Sequence, residues 1–174
     1  MSTYVLGVPS LDKIVTDLAA TNGQVERALK RAISSTTRWA ADVGRSGIAR
    51  AMHIRIAALH GRARVYLRLA EFSGVGWFGI NDLNSSRLNP VQTPTGAKME
   101  GQPEVPHAFV ITPSRGARAP MMFIRTTSLR YPIEPVKLPI HDVANAVLFG
   151  DVATKVDAKL AENFDRELRR EIEK

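Results

Sequence analysis

The stretch Arg62–Ala70, RARVYLRLA, alternates without a break. Strand side chains alternate with a period of two, so Ala63, Val65, Leu67 and Leu69 share one face and Arg62, Arg64, Tyr66 and Arg68 share the other. An apolar face backed by a basic one predicts a strand in a sheet covered on one side only. Upstream of it the period changes. Leu11, Ile14, Val15 and Leu18 fall on one side of a short helix, with Ser10 as its cap. Thr21 and Gln24 have the spacing of a capping box, with Asn22 as a rival cap. Val25, Leu29, Ala32, Thr36, Trp39 and Val43 then recur at intervals of four and three. This predicts a long helix near Thr21–Val43, interrupted by Gly44 and Gly47, with a further helical turn or two over Ile48–Leu59.

Downstream, the β-like runs His107–Thr112 and Met121–Thr127 flank a segment containing Pro113, Gly116 and Pro120, the pattern of a hairpin. Pro132, Pro135 and Pro139 hold the following chain extended. Ile140, Val143, Ala144 and Val147 predict a short helix ending at Gly150. Val152, Val156, Leu160, Phe164, Leu168 and Ile172 recur every four residues, which predicts a long amphipathic helix near Asp151–Glu173. Helices at both ends with strands between them make the class α+β: a helical N-terminal third, a small, mostly antiparallel sheet and a long C-terminal helix. Residues 1–174 read as one domain. Ser73–Pro106, rich in Gly, Asn, Ser and Pro and without a clear period, is expected as a long loop excursion from it.

The composition excludes several function classes. The 174 residues include no cysteine, so disulfides, thiolate metal sites and cysteine nucleophiles are out. No apolar stretch is long enough to span a membrane and no basic, then apolar, leader is visible, so the expectation is a soluble protein made in a cytoplasm. The formal net charge is +7, unevenly placed. Arg27, Lys30, Arg31, Arg38, Arg45, Arg50, Arg55, Arg62, Arg64 and Arg68 are opposed within that span by Asp42 alone, whereas Asp151–Lys174 is balanced. A basic first half suggests a polyanionic neighbour or an acidic protein partner, or simply a solvated face.

Motifs for chemistry are sparse. Gly74, Gly76 and Gly79 spell the dinucleotide fingerprint, but Ile80–Pro90 lacks the helical period that must follow it. A flexible loop using its glycines for turns is the better reading, and no cofactor is expected. His53, His60, His107 and His141 form no metal-ligand pair with neighbouring acids, so no metal is expected. Ser34, Ser35, Thr36 and Thr37 lie within a helix and read as packing or surface residues. With no nucleophile motif, no catalytic residue is expected either. Trp77 and Phe78, apolar aromatics in a glycine-rich stretch, anchor that stretch on its own domain or are buried by another subunit.

The most specific string is Arg130-Tyr131-Pro132-Ile133, followed by Pro135-Val136-Lys137-Leu138-Pro139-Ile140. It reads as a proline-stiffened segment between a hairpin and a helix. It resembles the arginine-tyrosine-proline-isoleucine signature of the minor tail protein Z (tail completion) family of lambda-like tailed bacteriophages. The order of a helical start, a basic strand like Gly61–Leu69, a variable loop, a strand like His107–Ile111, the signature and a terminal helix is similar too. This chain is less basic than that family. The resemblance implies a non-enzymatic virion protein at the head-proximal end of the tail, assembled in the host cytoplasm. It would act in tail completion and head-tail joining as one subunit of a ring, hexameric by analogy with the sixfold tube. Its neighbours would be further copies, tail terminator, tail tube or connector proteins, and genomic DNA passing through the channel, with no membrane. The alternative is a basic nucleic-acid-binding protein of phage origin. Interface or channel residues on this reading are Arg62, Arg64, Tyr66, Arg68, Trp77, Phe78, Arg130, Tyr131 and Pro132. For the basic strand face, contact with acidic side chains of a neighbouring subunit is favoured over DNA, the acids of the C-terminal helix being a ready source.

Overall fold

The computed structural model describes residues 2–6, 21–70, 73–113 and 119–174, and of 2–6, 66–70 and 73–79 the backbone alone. The expected short helix over Leu11–Leu18 and the turn joining the hairpin strands lie outside these residues. The chain groups into two compact units, the first built from residues 1–45, 63–79 and 144–174, the second from 46–62 and 80–143.

Helix α1 runs Asn22–Ala51. At its start the Thr21 N–H donates to Gln24 Oε1 at 3.0 Å, one half of a capping box. The Thr21 hydroxyl also donates to that oxygen, at 2.9 Å, instead of accepting from the helix backbone. Contrary to expectation, Gly44 and Gly47 do not interrupt the helix. The reason is packing. A Cβ on Gly44 would stand 2.7 Å from Leu148 Cδ2, so the missing side chain is space that Leu148 uses.

In the first unit α1 packs against α3 (Ala153–Ile172). The α1 face turned inward is Ala28, Ala32, Thr36 and Ala40; it shares Ala32 and Thr36 with the seam suggested by the sequence, and Val25, Leu29 and Trp39 of that seam pack partly buried beside it. With Gly44 the four inward residues form a four-spaced row of small residues. The α3 row is large: Val156, Leu160, Phe164 and Leu168, all buried in one cluster with Ala28 and Ala32. Four-spaced ridges of one helix seating in four-spaced grooves of another is a common mode of helix packing. The pairing is antiparallel, since Gly44 faces Leu148 and Val152, Thr36 bonds Asn163, and Arg27 bonds Glu171. Helix α2 (His141–Val147) does not end at Gly150; a π-helical turn over Leu148–Val152 carries the chain into α3.

The same unit holds a three-stranded sheet in the order β1 (Ser2–Leu6), β3 (Ser73–Ile80), β2 (Ala63–Ala70). Strand β2 is the alternating stretch, as expected. Strand β3 is a correction: Ser73–Pro106 is no loop excursion. It contains β3, then β4 (Leu83–Asn84), a 3-10 turn Ser85–Leu88, β5 (Val91–Gln92), β6 (Gly96–Lys98) and β7 (Glu104–Pro106). These strands are short and separated by turns, which erases any period in the sequence.

The second unit also has β8 (Phe109–Ile111), β9 (Met121–Arg125), β10 (Ile133–Pro135) and β11 (Lys137–Leu138). β8 and β9 form the expected antiparallel hairpin, with Phe109 opposite Phe123. β9 also pairs with β10, β5 with β6 and β6 with β7, all antiparallel. Two polar side chains, buried Ser85 and exposed Gln92, tie these small sheets together. Ser85 Oγ accepts the Met122 N–H at 2.9 Å. Gln92 donates to the Gly96 carbonyl at 2.6 Å and accepts the Val110 N–H at 2.9 Å, joining β5 to β8. The further helical turns expected over Ile48–Leu59 are the last turn of α1, which runs on to Ala51, and a separate 3-10 turn at Ile56–Leu59.

Candidate assembly surface

The residues singled out from the sequence fall in three places. Arg62 closes the second unit: its N–H donates to the Leu59 carbonyl and its own carbonyl accepts the Asn81 N–H at 3.1 Å. Arg64 is exposed on β2, and Tyr66 and Arg68 follow on the same strand. Trp77 and Phe78 lie on β3, opposite Thr3 and Ser2 of β1. They therefore belong to a sheet and not to a polar loop. Gly74, Gly76 and Gly79 are on the same strand, which leads to β4 and a 3-10 turn. A dinucleotide fingerprint needs a strand-to-helix turn, with the helix N-terminus facing the phosphates, and these glycines do not make one.

The third place is the β9–β10 connection, where Arg130, Tyr131 and Pro132 sit. Leu129 is 70% exposed and Tyr131 64%. The Arg130 guanidinium stands over the Tyr131 ring, 5.7 Å from its centre. The Tyr131–Pro132 peptide is cis. At the base of the hairpin Arg125 covers the Phe109 ring at 5.0 Å, and Phe109 stacks on Phe123. Arg and Tyr are enriched at the centres of protein interfaces, and Leu129 adds exposed apolar surface beside them. Leu129 was not among the sequence candidates, because a lone leucine between serine and arginine has no period to mark it.

The acids of the C-terminal helix are less available than the sequence suggests. Glu162 pairs with Lys159, Asp165 with Arg169, and Glu167 with Arg166 and Arg170. Glu171, with its side chain only 3% exposed, pairs with Arg27, Arg31 and Lys174. Hydrogen bonds from Lys174 and then Arg27 outweigh the opposing effect of burial and hold the Glu171 carboxyl at a pKa of about 2. Glu171 thus serves the fold by clamping the start of α1 to the end of α3. Nearby cations on the outer face of α1 have no such partner: Lys30 and Arg38 are exposed and make no ion pair among the described residues.

No group of three or more His, Asp or Glu side chains that could hold a metal occurs among the described residues. His53 and His107 stand at left-handed backbone positions, and exposed His141 lies 3.5 Å from Asp142. No helix among the described residues is long and apolar enough to cross a membrane. Comparisons with protein-family models, with curated proteins and with solved structures find no match for this chain.

Proposed function

We propose that this chain is a non-enzymatic structural protein of a phage tail. It would sit at the head-proximal end and act in tail completion and head-tail joining as one subunit of a ring, hexameric by analogy. The observation that carries the reading is the β9–β10 tip. The segment that resembles the family signature holds apolar and cationic side chains out into solvent, where they have little to do for their own fold. Exposed apolar groups grouped with an arginine mark a protein contact more often than a catalytic site. The work of such a protein is burial of complementary surface against further copies and against terminator, tube or connector proteins. The test uses particles induced from the bacterium that carries the gene. The chain should be found in purified virions by mass spectrometry. Ablating its gene should leave filled heads and tails unjoined under the electron microscope. Normal joined particles without the chain would end this reading.

A second reading, a basic nucleic-acid-binding protein, is favoured by one observation, the exposed cations Lys30 and Arg38 on the outer face of α1, which make no ion pair among the described residues. It requires affinity of the isolated chain for duplex DNA that falls with salt, at a log–log slope of about −0.9 for each phosphate contacted. A flat salt profile removes it.

A further inference from the structure

We propose that the β9–β10 tip of one copy seats in the depression beside β5 and β6 of the next, so that each chain carries both halves of a head-to-tail contact. This rests on the ring reading above and names its surfaces. The depression has a volume of about 360 Å³ and is lined by Asn89, Val91, Thr93, Lys98, Met99 and Glu100. Val91 leaves 62% of its surface in solvent there. One oxygen of Glu100, Oε2, takes both the Arg55 Nε and the Asn89 Nδ2 contacts, each at 3.3 Å. The other oxygen, Oε1, has no partner among the described residues. The charge of Lys98 is already directed at Glu104, which stands opposite it on β7 and whose carboxyl is held below the usual range by Thr95, then Thr93, then Lys98.

The tip is the complement of this site. Leu129 and Tyr131 supply apolar surface, and Arg130 has no hydrogen bond or ion pair among the described residues. A projecting apolar patch with an unspent guanidinium thus corresponds to a recessed apolar patch with an unspent carboxylate oxygen. Arginine to carboxylate is the stronger form of charged hydrogen bond. The second copy is the occupant because the two surfaces match each other and neither matches itself. Two tips would bring like charges together. Two depressions would leave both recesses unfilled. A contact between unlike surfaces of identical chains is heterologous, and it closes into a ring when the rotation permits.

The experiment is sedimentation and native mass spectrometry of the full chain and its variants, with circular dichroism to verify folding. The parent should form closed oligomers. Leu129→Asp in the tip and Val91→Arg in the depression should each give folded monomers, weakening association at least tenfold. Mixed together, they retain one good tip and one good depression and should form a one-to-one heterodimer and nothing larger. Arg130→Glu should dissociate the oligomer, and adding Glu100→Arg should restore it. Oligomers that survive the tip and depression variants, or a mixture that stays monomeric, overturn this contact while leaving a ring possible through other surfaces. A parent chain that is monomeric up to the highest concentrations overturns the ring itself and this contact with it.

Discussion

Thr36 and Asn163 form a polar bridge in the middle of the α1–α3 core: Asn163 Nδ2 donates to Thr36 Oγ1 at 2.9 Å, with the two residues 0% and 2% exposed. Thr36→Val keeps the shape of the side chain and removes the acceptor. It strands a buried amide N–H, which costs about 1–3 kcal/mol, the desolvation of an unsatisfied group. Asn163→Leu removes the donor and leaves the Thr36 hydroxyl stranded, with a cost in the same range. Replacing both partners by apolar side chains of similar shape strands nothing, and such a swap is often nearly neutral. The double variant should therefore be more stable than either single variant, and more stable than the sum of the single effects predicts by about 2–6 kcal/mol. Urea unfolding followed by circular dichroism reads this directly. With a denaturant slope of roughly 2 kcal/mol/M, each single variant should lower the midpoint by about 0.5–1.5 M. Single effects that add within about 0.5 kcal/mol would show that the two side chains do not couple. The helices would then be set in register by the small and large rows alone.

Three further outcomes follow from the same core and its edges. Phe164→Ala deletes a fully buried ring and should cost about 3–5 kcal/mol, read as a lower urea midpoint. Glu171 has a folded pKa of about 2, below its unfolded value, so its ion pairs stabilise the protein at pH values above the ordinary carboxylate range, and that contribution is lost as pH falls toward 2. Glu171→Gln should accordingly be less stable than the parent at pH 7, with the difference shrinking in acid; a gap that stays constant down to pH 2 would exclude the clamp. Gly101 has φ +70 and would place a Cβ 1.7 Å from the His53 carbonyl oxygen, so Gly101→Ala should destabilise by more than about 1 kcal/mol, and a neutral result in thermal melts would contradict that close approach.

The long periodic elements were legible in the sequence because burial imposes period on them. The every-four run from Val152 to Ile172 is α3, and RARVYLRLA is β2. Where tertiary contact decides, the sequence misleads. Asn163, Glu167 and Glu171 are polar residues that periodicity assigns to solvent, yet all three are buried. Asn163 is satisfied by Thr36, Glu167 by Arg166 and Arg170, and Glu171 by Arg27, Arg31 and Lys174. The partners of Asn163 and of the two Glu171 arginines lie more than a hundred residues away, so no local pattern reveals them. Gly44 looks like a helix breaker until Leu148 is placed against it. Strands of two or three residues, such as β4 to β7, are too short to show alternation at all. Of the candidate surface, Arg130 and Tyr131 were visible as a string, whereas Val91 and Glu100 become neighbours in a depression only through the β5–β6 turn.

The ion pairs also decide what the basic half of the chain can mean. Had the acids of α3 been free, a neighbouring subunit could have offered them to the arginines of β2. Four of them, Glu162, Asp165, Glu167 and Glu171, already answer to cations within their own unit. Breaking the exposed pairs of Glu162 and Asp165 to make similar ones elsewhere yields little net energy, since an exposed ion pair is worth about 0–1 kcal/mol, and breaking those of Glu167 and Glu171 would leave a buried carboxylate without its cation. An acidic partner for Lys30 and Arg38, which make no ion pair among the described residues, must then come from a different surface or a different molecule. Charge alone therefore gives this chain attraction over a distance, screened within about 10 Å at ordinary salt. A defined contact needs buried apolar surface as well as a charged pair. On the described side chains the β9–β10 tip, with Leu129 and Tyr131 on either side of Arg130, joins exposed apolar groups to a cation that makes no ion pair or hydrogen bond of its own.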